Sequence, residues 1–327
     1  MSKKKTEGIT EPQAKTLRMI CEILDANGLP LPTYGQDNVV GYAHTFTGWS
    51  YGTGGSANYI SPMTVRTADH DTGEKLLLEN AILPANATPT ILSCDEELKS
   101  SHDVIFHHPN VGPFVCRQLI QRMVTANPSP GYVYRAASAF ADNGSGVRGD
   151  MKAVWTAVLM DTEARTATSS TSFGKLREPM VRLVQWGRTF GATNADGLWT
   201  LGNTSAETSL NQMPLYAPSV FNYFRPGYAP PNTALIQSKL VAPELQITDE
   251  PSVVGYVNYM AGTVNNARVV KVDYTTEKAL AATPSALIDH LNLHLAAGAI
   301  STTNRTLMTQ AITSIAATTD TGLLNRV

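Results

Sequence analysis

Between His107 and Arg165 the chain carries helix starts and stops in close succession, and this punctuation constrains the fold more than any other feature. Asn110 stands where an N-cap accepts a backbone N–H, and Pro113 falls in the first turn, where its missing N–H costs little. Val111, Phe114, Val115, Leu119, Ile120, Met123 and Val124 then predict one apolar stripe, with Arg117, Gln118, Gln121 and Arg122 opposite. Asn127-Pro128 stops that helix. Ser129-Pro130 reads as N-cap and first residue of the next, which Asn143-Gly144 ends. Asp150 caps a third, with Val154, Trp155, Val158 and Leu159 turned inward, and a fourth spans residues 175–190 with Pro179 near its start and Gly191 at its end.

Helical spacing recurs at residues 11–27, 37–47, 95–107, 251–263, 284–297 and 302–316. Between them, residues 48–72 read as a Gly-, Ser- and Thr-rich loop with room for short strands, and residues 191–250 as irregular chain around the turn Arg225-Pro226-Gly227. Ala267–Asp273 is the best strand candidate. The expected fold class is mainly α: an irregular helical domain with long loops and few short strands. The expected organisation is a flexible tail over residues 1–10, a helical body over 11–250 and a C-terminal helical section over 251–327 packed on it.

Composition narrows the function classes. The chain has 327 residues and a net charge of −2, with no basic stripe of the kind nucleic-acid binders carry. Charged residues make up 16%, below the ~25% typical of globular domains, and polar loop formers take their place, as in many exported bacterial proteins. Apolar runs fall short of the ~20 residues needed to span a bilayer, and the chain begins polar and charged instead of with a signal peptide. Cys21, Cys94 and Cys116 lie far apart and form no CxxC pair; Cys116 reads as a buried free thiol.

Walker A, GxSxG and HExxH patterns are missing from the sequence. Four sets of side chains remain as candidates. His107, His108 and Asp103 stand close together, with His102 and Glu97 nearby, and form a candidate metal set, since first-row metals favour His and carboxylate ligands; capping of a helix end is the bland alternative. His290 and His294, four apart, offer two ligands without an evident third. Asp161 and Glu163 are candidate acid–base carboxylates, with Arg165 as a substrate-binding partner, unless they simply pair with arginines and fix helix docking. Tyr216, Phe221, Tyr223, Phe224 and Tyr228 form an aromatic loop suited to a glycan or peptide, or to plugging a core. The sequence requires no cofactor and admits a divalent metal.

Five blocks, in order, resemble the uncharacterised bacterial family DUF1800: YGQDNVVGYAHTFTGWS (Tyr34–Ser50), HDTGEK (His70–Lys75), the His107–Arg165 run, FGKLREPMVRLVQW (Phe173–Trp186), and QMPLYAPSVFNYFRPGYAPP (Gln212–Pro231) followed by LVAPELQITDE. The resemblance implies an exported or periplasmic bacterial protein and, because family members tend to be longer at both ends, a C-terminal portion of one. It carries no established functional residues. The leading functional expectation is an exported binding or assembly protein that contacts a polysaccharide or a protein partner. The other is a hydrolase of glycosidic or ester bonds, with or without metal, using His70 and Asp71 together with Asp161 and Glu163, while Lys75, Arg165, Tyr223 and Tyr228 hold substrate. An enzyme of that kind needs the His70-Asp71 loop to fold back onto the helix that ends at His108.

Overall fold

The structure is a computed structural model that describes residues 34–52, 60–166, 172–219, 222–265 and 269–327. The expected tail over residues 1–10, the expected helix at 11–27, Cys21 and Phe221 lie outside these residues. Over the described residues the chain is mainly helical, with thirteen helices and two small two-stranded sheets. It divides into two compact units between Phe173 and Gly174.

The first unit opens with α1 (Gln36–Thr45). The loop that follows contains two short antiparallel pairs, β1 (Trp49–Ser50) with β2 (Thr64–Val65) and β3 (Lys75–Leu76) with β4 (Ile82–Leu83). Helix α1 lies directly on β3. A Cβ on Gly41 would stand 2.0 Å from the Leu76 carbonyl oxygen, so only glycine permits this approach. Asn38 donates from Nδ2 to the Leu77 carbonyl at 2.7 Å and fixes the register of the contact.

Helix α2 (Ile91–His107) starts four residues before the sequence expectation, because Thr90 and Ser93 form a reciprocal capping box. Then come α3 (Val111–Met123), α4 (Pro130–Ala141), α5 (Met151–Leu159) and the single turn α6 (Thr162–Arg165). Ser129 and Asp150 cap as expected, through bonds from Tyr132 N–H and from Lys152 and Ala153 N–H. Asn110 makes no side-chain cap bond; it is already helical at φ −79° and ψ −10°.

The buried face of α3 also differs from the expected stripe. Gly112, Pro113, Cys116, Ile120 and Gln121 are buried, while Phe114 and Met123 are exposed. Small residues turn inward because α4 comes close: a Cβ on Gly112 would touch the Phe140 ring at 3.1 Å. Gln121 is tolerated inside because its Nε2 donates to the Ala126 carbonyl at 2.9 Å. The core of this unit joins Cys116, Ile120, Tyr132, Val133, Ala136, Phe140, Val154 and Val158. Leu159, expected inside, is exposed, and Trp155 is half-buried.

The second unit contains α7 (Pro179–Thr189), the short α8 (Ala234–Gln237), α9 (Glu250–Val264), α10 (Thr275–Leu280), α11 (Pro284–Ala296), α12 (Thr302–Thr313) and α13 (Asp320–Arg326). Its core brings together Leu183, Trp186, Leu210, Tyr259, Val270, Val272 and Tyr274, so residues after 251 share one interior with residues 183–210. Trp186 Nε1 donates to the Tyr274 hydroxyl at 2.8 Å inside it. The described part of the expected strand at Ala267–Asp273 forms an isolated antiparallel bridge, Lys271 with Thr193. Irregular chain dominates residues 191–250, as expected, and is held by turns at positive φ such as Asn211 (51°) and Leu215 (59°).

Candidate functional site

The two blocks Tyr34–Ser50 and His70–Lys75 fold onto each other and onto α2. The Thr47 hydroxyl accepts from Asp71 N–H at 2.7 Å and donates to the His44 carbonyl at 2.6 Å. His70 donates from Nδ1 to the Thr47 carbonyl at 2.9 Å, since a carbonyl only accepts, and its Nε2 faces Glu97 Oε2 at 3.2 Å. The His70-Asp71 loop therefore packs on α2, but it meets Glu97 in the first half of that helix and not His107 or His108 at its end.

Lys75 is wholly buried beside them. Its ammonium has three donors and three close acceptors: Glu97 Oε2 at 3.0 Å, the Asp71 carbonyl at 2.9 Å and the Gly73 carbonyl at 3.2 Å. No donor is left over for a substrate. The side chains of His70 and Lys75 are 0% exposed and that of Glu97 11%, so the trio is a desolvated ionic knot. Only its outer edge meets solvent. There His44 Nδ1 lies 3.5 Å from Asp71 Oδ1, with side chains 43% and 30% exposed. His44 did not emerge from the sequence as a site residue, and Glu97 did so only as a neighbour of the His107, His108 and Asp103 metal set. The adjacency of the two motif blocks was the available signal for His44. For the pairing of Glu97 with His70 and Lys75 the sequence carried no signal.

The other candidates are placed as follows. Asp161 caps α6 and grips Arg135 through both oxygens, Oδ2 to Nε at 2.6 Å and Oδ1 to Nη2 at 2.8 Å. The bound guanidinium holds its carboxyl below the usual carboxylate range. Glu163 accepts from the Ser129 N–H at 2.9 Å and from the Ser129 hydroxyl. Both carboxylates thus tie α6 to α4. They also bear on Tyr132, whose hydroxyl donates to the Val158 carbonyl; burial, with Asp161 and Glu163 nearby, pushes that phenol up to about 12. Arg165 is exposed, with Nη1 3.8 Å from Met160 Sδ.

The His107, His108 and Asp103 side chains turn to separate partners. Asp103 pairs with Lys99 at 2.8 Å, His107 donates from Nδ1 to the Asp103 carbonyl at 2.8 Å, and His108 Nδ1 accepts from Asn110 N–H at 3.2 Å. Arg148 caps the same helix end, donating to the carbonyls of Phe106 and His108. His290 faces Glu277 Oε1 at 3.0 Å, and its ring lies 4.4 Å from that of His294. Among the described residues no group of three or more His, Cys, Asp or Glu side chains is arranged to hold a metal ion.

A second knot parallels the first. Lys175 lies 3.1 Å from Glu244 and 3.9 Å from Glu178. Gln212 joins it, accepting from Met180 N–H at 3.2 Å and donating to Glu178. It links the Phe173–Trp186 block to the Gln212–Pro231 block and to LVAPELQ.

Beside the second knot in sequence, the aromatic loop forms an open cleft of about 460 Å³ lined by Ser205, Asn211, Tyr216, Ala217, Pro218, Tyr223 and Ile247. The Tyr223 hydroxyl accepts from Met213 N–H at 2.9 Å and shares its proton between the carbonyls of Met213 and Tyr216. Tyr216, by contrast, is 66% exposed. Asn211 is anchored through Nδ2 to the Ile247 carbonyl at 3.2 Å. Tyr228 is half-buried in the adjoining turn, where its carbonyl accepts from Ala242 N–H at 2.8 Å, and it does not line the cleft. Phe224 is buried.

No helix among the described residues is long and apolar enough to cross a membrane. Comparison with known proteins returned no significant match to a curated protein or to a solved structure. It returned one family model, "Protein of unknown function (DUF1800)", which matches residues 25–324 and so takes in all five blocks and both knots. The chain belongs to the DUF1800 family, whose function is unknown.

Proposed function

We propose that the chain is a binding or assembly module and that the tyrosine-lined cleft is its recognition surface, taking a polysaccharide. The observation that carries this reading is the contrast between Tyr223 and Tyr216. Tyr223 spends its hydroxyl holding the loop in shape, while the neighbouring Tyr216 stands exposed at the cleft wall. A loop braced before binding loses little freedom on binding, and an exposed aromatic face beside polar groups suits a sugar ring. Three of the acid–base candidates and one substrate-binding candidate point the same way, since His70, Asp161 and Glu163, and Lys75 beside His70, each spend their polar atoms on partners within the fold. Export from the cytoplasm belongs to the same reading, supported by the low charged fraction of 16%.

Affinity electrophoresis through gels containing soluble bacterial polysaccharides tests the cleft. Retardation by at least one polymer, lost in Tyr216→Ala, is the expected result. Equal retardation of the variant, or none with any polymer, overturns the glycan reading and turns attention to a protein partner.

One observation favours a second reading as a hydrolase. His44 and Asp71 form a solvent-facing pair 3.5 Å apart, the disposition in which a carboxylate orients a general base. Chromogenic ester and glycoside substrates, with and without EDTA, test it. Hydrolysis lost in His44→Ala supports this reading, and its persistence in that variant removes it.

A further inference from the structure

The second unit contains a cavity that the tyrosine cleft does not involve. It measures about 400 Å³ and is walled by the C-terminal half of α7 and the chain around Trp199, with Leu183, Trp186, Trp199, Leu201 and Val270 giving it an apolar lining. That is room for about a dozen waters, and it falls within the size range of small-molecule sites. The space exists because the α7 side offers little bulk: Gly187, Gly191 and Ala192 line it. Trp186 has already committed its indole N–H to Tyr274, so what it offers to the cavity is purely apolar.

One charged side chain joins this lining, Arg188. It is exposed, and among the described residues no carboxylate pairs with it. It lies in the last turn of α7, where the helix end contributes roughly half a negative charge. A full positive charge outweighs that, so the rim is net positive. An apolar chamber with one uncommitted guanidinium at its edge is complementary to a molecule with an apolar body and a single anionic group.

We propose that this cavity binds a small amphipathic anion, its aromatic or aliphatic body between the two tryptophans and its carboxylate or sulfonate on Arg188. The site is independent of the tyrosine cleft and stands whether or not a polysaccharide binds there.

Two fluorescent probes test it: 8-anilinonaphthalene-1-sulfonate, which is anionic, and N-phenyl-1-naphthylamine, which is apolar and neutral. Both should bind the native protein at one site, with decanoate competing. Gly187→Leu fills the chamber from a helical position and should weaken both probes at least tenfold. Arg188→Gln should weaken the sulfonate about fivefold to tenfold and leave the neutral probe unchanged. If Gly187→Leu fails to fold by circular dichroism, Trp199→Ala replaces it, with the same expected loss of both probes. Failure of the wild type to bind the sulfonate overturns the proposal. So does undiminished binding in the folded cavity variant, or equal sulfonate affinity in Arg188→Gln.

Discussion

Replacing Glu97 by glutamine should destabilise the first unit far more than loss of a surface carboxylate would. Glu97 Oε2 stands 3.0 Å from the Lys75 ammonium, and the Lys75 side chain is 0% exposed. At an effective dielectric of ~20 the attraction across that distance is about 5.5 kcal/mol before desolvation is subtracted. A pair on the surface returns only ~0–1 kcal/mol of such a sum. Here the substitution leaves a buried ammonium with two carbonyls and only the 30% exposed Asp71 carboxylate, 3.8 Å away, as counter-charge, and breaking a buried pair in this way costs about 3 kcal/mol, the lower part of the ~3–5 kcal/mol range. For a domain of this size that corresponds to a fall in Tm of roughly 10 °C. Urea and thermal unfolding followed by circular dichroism would measure it. The double variant Lys75→Met with Glu97→Leu separates a stranded charge from a merely disturbed core: apolar replacement of the whole pair should recover at least half of the loss. A Glu97→Gln protein within about 1 kcal/mol of wild type would refute the reasoning, because it would mean that Lys75 finds water or another partner at little cost.

Three further outcomes are expected. Gly41→Ala should cost about 3 kcal/mol, the upper part of the range for overpacking, because its Cβ meets backbone at 2.0 Å, whereas Gly187→Ala, with 3.6 Å to the Ala192 Cβ, should be neutral or stabilising in the same unfolding assay. Cys116, whose thiol burial pushes up to about 11, should resist iodoacetamide at pH 8 in the native protein and react once the protein unfolds, as peptide mapping by mass spectrometry would read. Because its carboxyl is depressed by Arg135, Asp161 stabilises the fold above the unfolded value of ~3.9 and loses that contribution as pH falls through its folded value. Asp161→Asn should therefore cost about 1 kcal/mol at pH 7, given the half-exposed arginine, and flatten the acid limb of a stability–pH curve; an unchanged acid limb would contradict it.

What the sequence made legible was local. Ser129 and Asp150 cap their helices because a cap depends on residues two or three positions away, and those are visible in the string. Asn110 looked equivalent, but its own backbone is already helical, which the string does not display. The apolar stripe of α3 holds at Val111, Leu119, Ile120 and Val124, which join the core, and fails at Phe114 and Met123, because counting large side chains overlooks glycine. Gly112 is inside because helix α4 needs the space, and Phe114 is outside because there is none left. The site divided in the same way. Joining the Thr47 and His70 blocks was foreseeable as motif adjacency, yet Lys75, which read as a substrate-binding residue, is sealed inside by a glutamate 22 positions later whose role depends on tertiary packing alone. Asp161 and Glu163 had two readings at the outset, and their bonds to Arg135 and Ser129 match the docking role.

Each unit has its own lysine knot and its own apolar interior: Lys75 with the Cys116–Val158 core, and Lys175 with the Leu183–Tyr274 core. The joint between Phe173 and Gly174 cuts through neither knot and neither core. An engineer seeking a site for a cleavable linker, an affinity handle or a fluorescent reporter would therefore place it at this joint. An insertion as little as two residues downstream would instead strike Lys175 and risk the ionic latch that gathers three distant stretches of the second half.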